Sequence, residues 1–286
     1  MRCAYRLLAV DVDGTLLNSA NSLAPANREA LHRAHEAGLT ICLCTGRCYT
    51  ETRPVIEAIG LDLDAAVCVF GALLCDAQSG RTIHRWPIPR QTARRLLEFF
   101  ASQDEPALVL HDRTEAGVDY YLVRGRRHAR EYERWLELAP TVVTRVDRWP
   151  DDAPEPLRIG VIVDPADAVA ARERLTAAFP PAELKCNAIF APNYRLHVLE
   201  CFAPQVNKWF ALCQLARDRG IRPSEVVAIG DDINDVEMIR SAGLGVAMGN
   251  AIPAVKSVAK CYTETNDEAG VAAFIDRMLA GEYAPR

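Results

Sequence analysis

Short, wholly apolar runs alternate with amphipathic stretches through the first 80 residues and again after residue 204. Leu7–Val10 is wholly apolar and Leu39–Cys44 is interrupted only by Thr40, as expected of strands covered on both sides in a parallel sheet. A helix is expected from Pro25 to Ala37, since proline suits a first helical turn and Gly38 stands just past the end. A second helix is expected from Thr50 to Ile59 and a further strand from Ala65 to Phe70. The same rhythm resumes with a helix at 207–219, a strand at Val226–Ile229 and a short strand at Gly245–Met248. Strands alternating with helices in this way predict βαβ units.

Between Arg85 and Ala203 the texture changes. Trp86, Trp135, Trp149 and four of the eight tyrosines fall there, with a Pro/Asp-rich link from Trp149 to Pro156. Strand patterns at 107–111, 120–123, 157–163, 185–190 and 196–199 alternate with helical ones at 91–101, 129–138 and 167–179. The expected fold class is α/β, with a doubly wound (Rossmann-like) parallel-sheet core in residues 1–84 and 204–286. A separate α/β domain, residues 85–203, is inserted into it.

At 286 residues the chain suits two domains, each large enough for its own core. A net charge of −5 and a pI near 5.8 provide no basic footprint for nucleic acid, so none is expected as a partner. No run reaches the roughly 18 to 20 apolar residues of a membrane span. Asp11 and Asp13 interrupt the first apolar run too early for a secretory signal, which makes a cytoplasmic location the expectation. The ten cysteines are scattered through apolar segments without CxxC spacing. Cys42 and Cys44, two apart in a strand, share a face and are expected to pack as small apolar groups.

The candidate chemistry gathers at strand ends, where ligands bind in open parallel sheets. Asp11–Thr15 reads DVDGT directly after the first strand. Two carboxylates so close, with no neighbouring base, call for a hard divalent cation, a phosphate or a shared proton. The second strand ends in Thr45-Gly46-Arg47, and the strand at 226–229 ends in Gly230-Asp231-Asp232-Ile233-Asn234-Asp235. Lys208 opens a helix, the end a helix dipole disfavours for a cation, which suggests a functional reason for its place. Each piece alone has a plain explanation: a turn at DVDG, a cap at Thr45, an acid-decorated helix start at 231–235. Their co-occurrence argues against all three.

Together, DVDGT, TGR, an isolated later lysine and GDDIND resemble the four-motif pattern of the haloacid-dehalogenase (HAD) superfamily. The long insert and GVAMGNA after the fourth motif are similar to its Cof-type (subfamily IIB) phosphatases. The resemblance implies Mg²⁺-dependent hydrolysis of a small phosphomonoester, a sugar phosphate, nucleotide or cofactor phosphate, through an aspartyl-phosphate. By this likeness Asp11 is the nucleophile and Asp13 the acid and base. Mg²⁺ is held by Asp11, the main-chain carbonyl of Asp13 and Asp231. Thr45, the amides around Val12 and Gly46, Lys208 and Asn234 serve the phosphate. Asp235 orients Lys208 or the metal's surroundings; Asp232 either supports the site or is a solvated turn carboxylate. Arg47 and Gly71 are possible substrate contacts. A phosphomutase of the same superfamily, a receiver-like signalling module and a non-catalytic phosphate-binding protein remain as alternatives. Asp13 and the insert disfavour the receiver, whose aspartyl-phosphate must persist. Two positions depart from the Cof-type pattern: Phe70, where many members carry Asn before Gly-Ala, and Trp209, where they carry a small residue. The arginine-rich stretch Arg124–Arg130 is expected to form a solvated face.

Overall fold

The computed structural model describes residues 4–191 and 194–283. These form two compact units, one comprising the chain up to Ile83 and from Asn207 onward, the other His84–Val206. The sequence-based division at Ala203 differs because Val206 still belongs to the insert: its amide donates to Ala203 O at 3.1 Å, and its carbonyl accepts from Lys185 Nζ at 2.7 Å.

The first unit is built on a sheet of eight strands, the last of which runs past the unit's limit at Ile83. Its spatial order is Cys261–Tyr262, Leu244–Ala247, Val226–Gly230, Leu7–Asp11, Thr40–Cys44, Ala65–Cys68, Leu73–Cys75 and Thr82–Arg85. The neighbours from Cys261–Tyr262 through Ala65–Cys68 pair in parallel, and Leu73–Cys75 adds antiparallel. Leu7, Leu8, Ala9 and Val10 are fully buried, as an all-apolar central strand requires. Cys42 and Cys44 are likewise buried within theirs. Val10 pairs with Ile229 and Asp11 with Cys44, and this register makes the three motif-bearing strands end level with one another.

The strand that begins at Ala65 stops at Cys68, two residues before the expected end. Val69 and Phe70 adopt positive φ, 53° and 55°, in a short turn. An uninterrupted apolar run carries no sign of this. Tertiary bonds impose it: Val69 N donates to Arg47 O at 2.9 Å and Phe70 N to Thr45 O at 3.0 Å.

The second unit holds a six-stranded sheet, ordered Lys185–Ala191, Leu196–Phe202, Arg158–Val163, Ala107–Leu110, Tyr120–Val123 and Val143–Val146. Its pairs are antiparallel except the last, which is parallel. Leu96 and Phe100 of the helix Arg90–Ala101 and Leu175 of Ala168–Ala178 pack with Val109, Ile159, Val161 and Leu199 of the sheet into one apolar core. Arg124 and Arg126 are exposed and paired with Asp147 at 3.2 Å and Asp104 at 2.7 Å, pairs that add little stability in water.

Candidate active site

Asp11 ends the central strand and is almost wholly buried. Lys208 is the first residue of the helix Lys208–Asp218, whose start is capped by Asn207 Oδ1 accepting from Phe210 N at 2.8 Å. The lysine is 1% exposed. Its Nζ donates to Asp11 Oδ1 at 2.5 Å and to Asp235 Oδ1 at 2.7 Å. Burial alone would lower its pKa, but the two carboxylates outweigh burial and hold the ammonium charged.

Asp235 is fully buried and already satisfied, because its Oδ2 accepts the amides of Asp231 and Asp232, each at 3.1 Å. Asp231 leans the other way, with Oδ1 accepting from Thr15 Oγ1 at 2.9 Å and Oδ2 lying 3.4 Å from Asn250 Nδ2. Carboxylate oxygens of Asp11, Asp231 and Asp235 lie within 4.8 Å of one another. Burial, and then the neighbouring carboxylate of Asp235, raise Asp11 well above the usual carboxylate range and push Asp231 up to about 6. Three acids share one ammonium.

That imbalance suits a divalent cation, which would offset the repulsion with the oxygen ligands hard cations prefer. Among the described residues Asp11 Oδ2 carries no hydrogen bond and Asp231 presents an oxygen to the same space, whereas both Asp235 oxygens are engaged. Asp11 and Asp231 could therefore offer oxygens to such a cation, while Asp235 holds Lys208 and the amides of Asp231 and Asp232. Asn234 Oδ1 is buried without a hydrogen-bond partner, as fits a group awaiting a donor that arrives with ligand or water.

Gly14, at φ 75°, lets the loop lie against this group: a Cβ there would meet Asp231 Oδ2 at 2.4 Å. Asn250 Nδ2 ties the loop down by donating to Gly14 O at 2.8 Å. Thr15 and Asn250 are functional candidates that the motifs contain but spacing did not single out, since their role is visible only as contacts with Asp231. Val12 is buried, one residue beyond Asp11. Thr45 is fully buried, and its Oγ1 accepts from Arg47 N at 3.1 Å, which leaves the hydroxyl proton to donate elsewhere. Gly71, at φ 103°, allows close approach of the helix start: a Cβ would fall 2.2 Å from Asn207 O, next to Lys208. Gly46 lies beneath the Phe70 ring. Asp232 is exposed and accepts from Ile233 N at 2.7 Å, the behaviour of a turn carboxylate.

Asp13 stands apart from the three carboxylates. Its side chain pairs with Arg47, at 2.9 Å from Nε to Oδ2 and 2.5 Å from Nη2 to Oδ1. Arg47, expected as a possible substrate contact, is thus engaged with another motif residue.

A family model described as haloacid dehalogenase-like hydrolase matches residues 8–275. The chain is 28% identical to the 5-amino-6-(5-phospho-D-ribitylamino)uracil phosphatase YwtE of Bacillus subtilis, over 99% of this chain and 100% of that one. It is 30% identical to the pyridoxal phosphate phosphatase YbhA of Escherichia coli, over 94% of this chain and 97% of that one. The solved structure of a haloacid dehalogenase-like hydrolase from Bacteroides thetaiotaomicron superposes with a TM-score of 0.80 at 26% identity, covering 96% of this chain and 99% of that chain.

Proposed function

The chain belongs to the haloacid dehalogenase-like hydrolases, and on that footing we propose that it is a Mg²⁺-dependent phosphatase that hydrolyses a small phosphomonoester through an aspartyl-phosphate at Asp11. The observation that carries this reading is the buried Lys208 ammonium bridging Asp11 and Asp235, with Asp231 alongside. It leaves one Asp11 oxygen unbonded and free to attack, and keeps a fixed positive charge beside it.

In the first step Asp11 forms a bond to phosphorus as the ester oxygen leaves, and that oxygen takes a proton from Asp13. In the second, water attacks phosphorus, gives a proton to Asp13, and the Asp11–phosphorus bond breaks. Lys208 offsets the charge that gathers between nucleophile and phosphoryl group, and the Thr45 hydroxyl and the amides of Val12 and Gly46 donate to its oxygens. Asp11, the Asp13 carbonyl and Asp231 would hold Mg²⁺. When bound, the ion supplies charge neutralisation of the phosphoryl oxygens.

Assay with p-nitrophenyl phosphate tests the metal requirement. EDTA should abolish turnover and Mg²⁺ restore it, and Mg²⁺ should raise the melting temperature of the wild type but not of Asp231→Asn. Equal turnover with and without EDTA would count against the proposal. For the substrate, the relatives' names point to phosphate esters on small metabolites that carry a ring, such as pyridoxal phosphate and 5-amino-6-(5-phospho-D-ribitylamino)uracil. A panel of such esters beside simple sugar phosphates and nucleotides would rank them by kcat/KM.

A further inference from the structure

The Asp13 carboxylate is gripped on both oxygens by one guanidinium, Oδ2 at 2.9 Å and Oδ1 at 2.5 Å. The same Arg47 Nη2 donates to Asn21 Oδ1 at 2.8 Å, and Nη1 reaches Glu51 O at 3.5 Å. Asn21 is itself held in place. It takes φ 58°, its amide donates to Asn18 O at 2.8 Å, and Asn18 Oδ1 accepts from Ala20 N at 3.1 Å and Ser22 N at 2.9 Å. A turn thus braces Asn21, Asn21 braces Arg47, and Arg47 holds Asp13.

The planar fork of an arginine fixes both the distance and the plane of the carboxylate it meets, which an ammonium cannot do. With Nε and Nη2 on Asp13 and Asn21 and Nη1 turned toward Glu51, the guanidinium is directed at protein groups. An arginine whose task was to clamp phosphate would instead present that fork to the ligand.

We propose that Arg47, backed by Asn21, is a positioning residue that sets where the Asp13 carboxyl stands when a proton must reach the departing ester oxygen. This rests on the reading of Asp13 as the proton donor. It differs from a direct substrate contact in what it affects. A positioning role matters most for leaving groups that cannot depart without a proton, and a phosphate contact matters equally for all.

The experiment compares kcat/KM, which reports the steps up to departure of the leaving group, for an alkyl phosphate and for p-nitrophenyl phosphate. The proteins are wild type, Arg47→Ala, Arg47→Lys, Asn21→Gly and Asp13→Asn, all in saturating Mg²⁺. For Arg47→Ala we expect a loss of about 10- to 100-fold on the alkyl ester, up to the lower end of what a general acid contributes because Asp13 itself remains, and about 3-fold or less on the aryl ester. Arg47→Lys should recover part of the loss. Asn21→Gly, which suits the left-handed backbone, should show a smaller loss with the same preference. The inhibition constant of inorganic phosphate should stay within about 3-fold of wild type if Arg47 does not clamp phosphate, since a charged hydrogen bond is worth more than that. Equal losses on both esters with weakened phosphate inhibition would overturn the proposal in favour of a substrate contact. Asp13→Asn separates the positioning role from the acid role beneath it. Loss selective for the alkyl ester in Asp13→Asn but not in Arg47→Ala sinks only the positioning role. Equal loss on both esters in Asp13→Asn overturns the reading of Asp13 as acid, and this proposal with it.

Discussion

Removing the Lys208 ammonium would leave Asp11 and Asp235 facing each other where water hardly reaches. Truncating one partner of a buried charge group costs about 3–5 kcal/mol, because the remaining charges keep their desolvation penalty without compensation. Lys208→Met is therefore expected to lower the unfolding free energy by that order as well as to end turnover. Urea denaturation monitored by circular dichroism checks it, and a variant as stable as wild type would show that the pair carries no such weight. The chemical identity of these groups was legible in the sequence, since like charges at strand ends demand a cation wherever they meet. Their partners were not. Thr15 reads as the tail of a turn and Asn250 lies 236 positions from the Gly14 carbonyl it holds, so nothing short of the folded contact assigns either one.

Among the elements, the buried strands Leu7–Asp11, Thr40–Cys44 and Val226–Gly230 were legible because apolar runs bounded by turn residues have few other uses. The turn at Val69–Gly71 was not legible. Val and Phe resist positive φ, and here it persists only because the Thr45–Arg47 loop holds both of their amides. That turn couples two parts of the site, with Phe70 over Gly46 on one side and Gly71 against Asn207 on the other. Gly71→Ala forces a methyl into the Asn207 carbonyl at a backbone angle alanine avoids. It should destabilise the protein by about 1–3 kcal/mol, and it should lower kcat through the displaced start of the Lys208 helix. Thermal melting and steady-state kinetics read the two effects. Unchanged values of both would mean the turn yields more easily than its contacts imply.

On the scale of the molecule, the sequence marks an insert by its change of texture, yet the limits of that insert depend on side-chain ties such as Lys185 to Val206. No helix among the described residues is long and apolar enough to cross a membrane. The unit His84–Val206 carries its own pH dependence. His111 is buried between the Trp149 and Tyr121 rings, and its Nε2 accepts from Trp149 Nε1 at 3.2 Å, which requires a neutral ring. Burial first, then Arg85 and Arg90, lower its pKa from 6.5 to about 4. Above pH 6.5 neither the folded nor the unfolded state is protonated and the group has no effect. As pH falls from 6.5 toward 4 only the unfolded chain takes up the proton, so stability falls, by at most about 3 kcal/mol. Denaturation followed by tryptophan fluorescence across that window should show the loss in wild type and a shallower slope in His111→Gln; parallel slopes would show that His111 does not set it. In the other unit Asp11, Asp231 and Asp235 meet beside Lys208, and the proposed function requires Asp11 to take up a phosphoryl group. The most direct measurement is acid quench of Asp13→Asn with p-nitrophenyl phosphate and Mg²⁺, with mass mapping of the peptides afterwards. The prediction is one PO₃ adduct on the peptide that contains Asp11, absent in Asp11→Asn. An adduct on any other residue, or none while the ester is consumed, would contradict it.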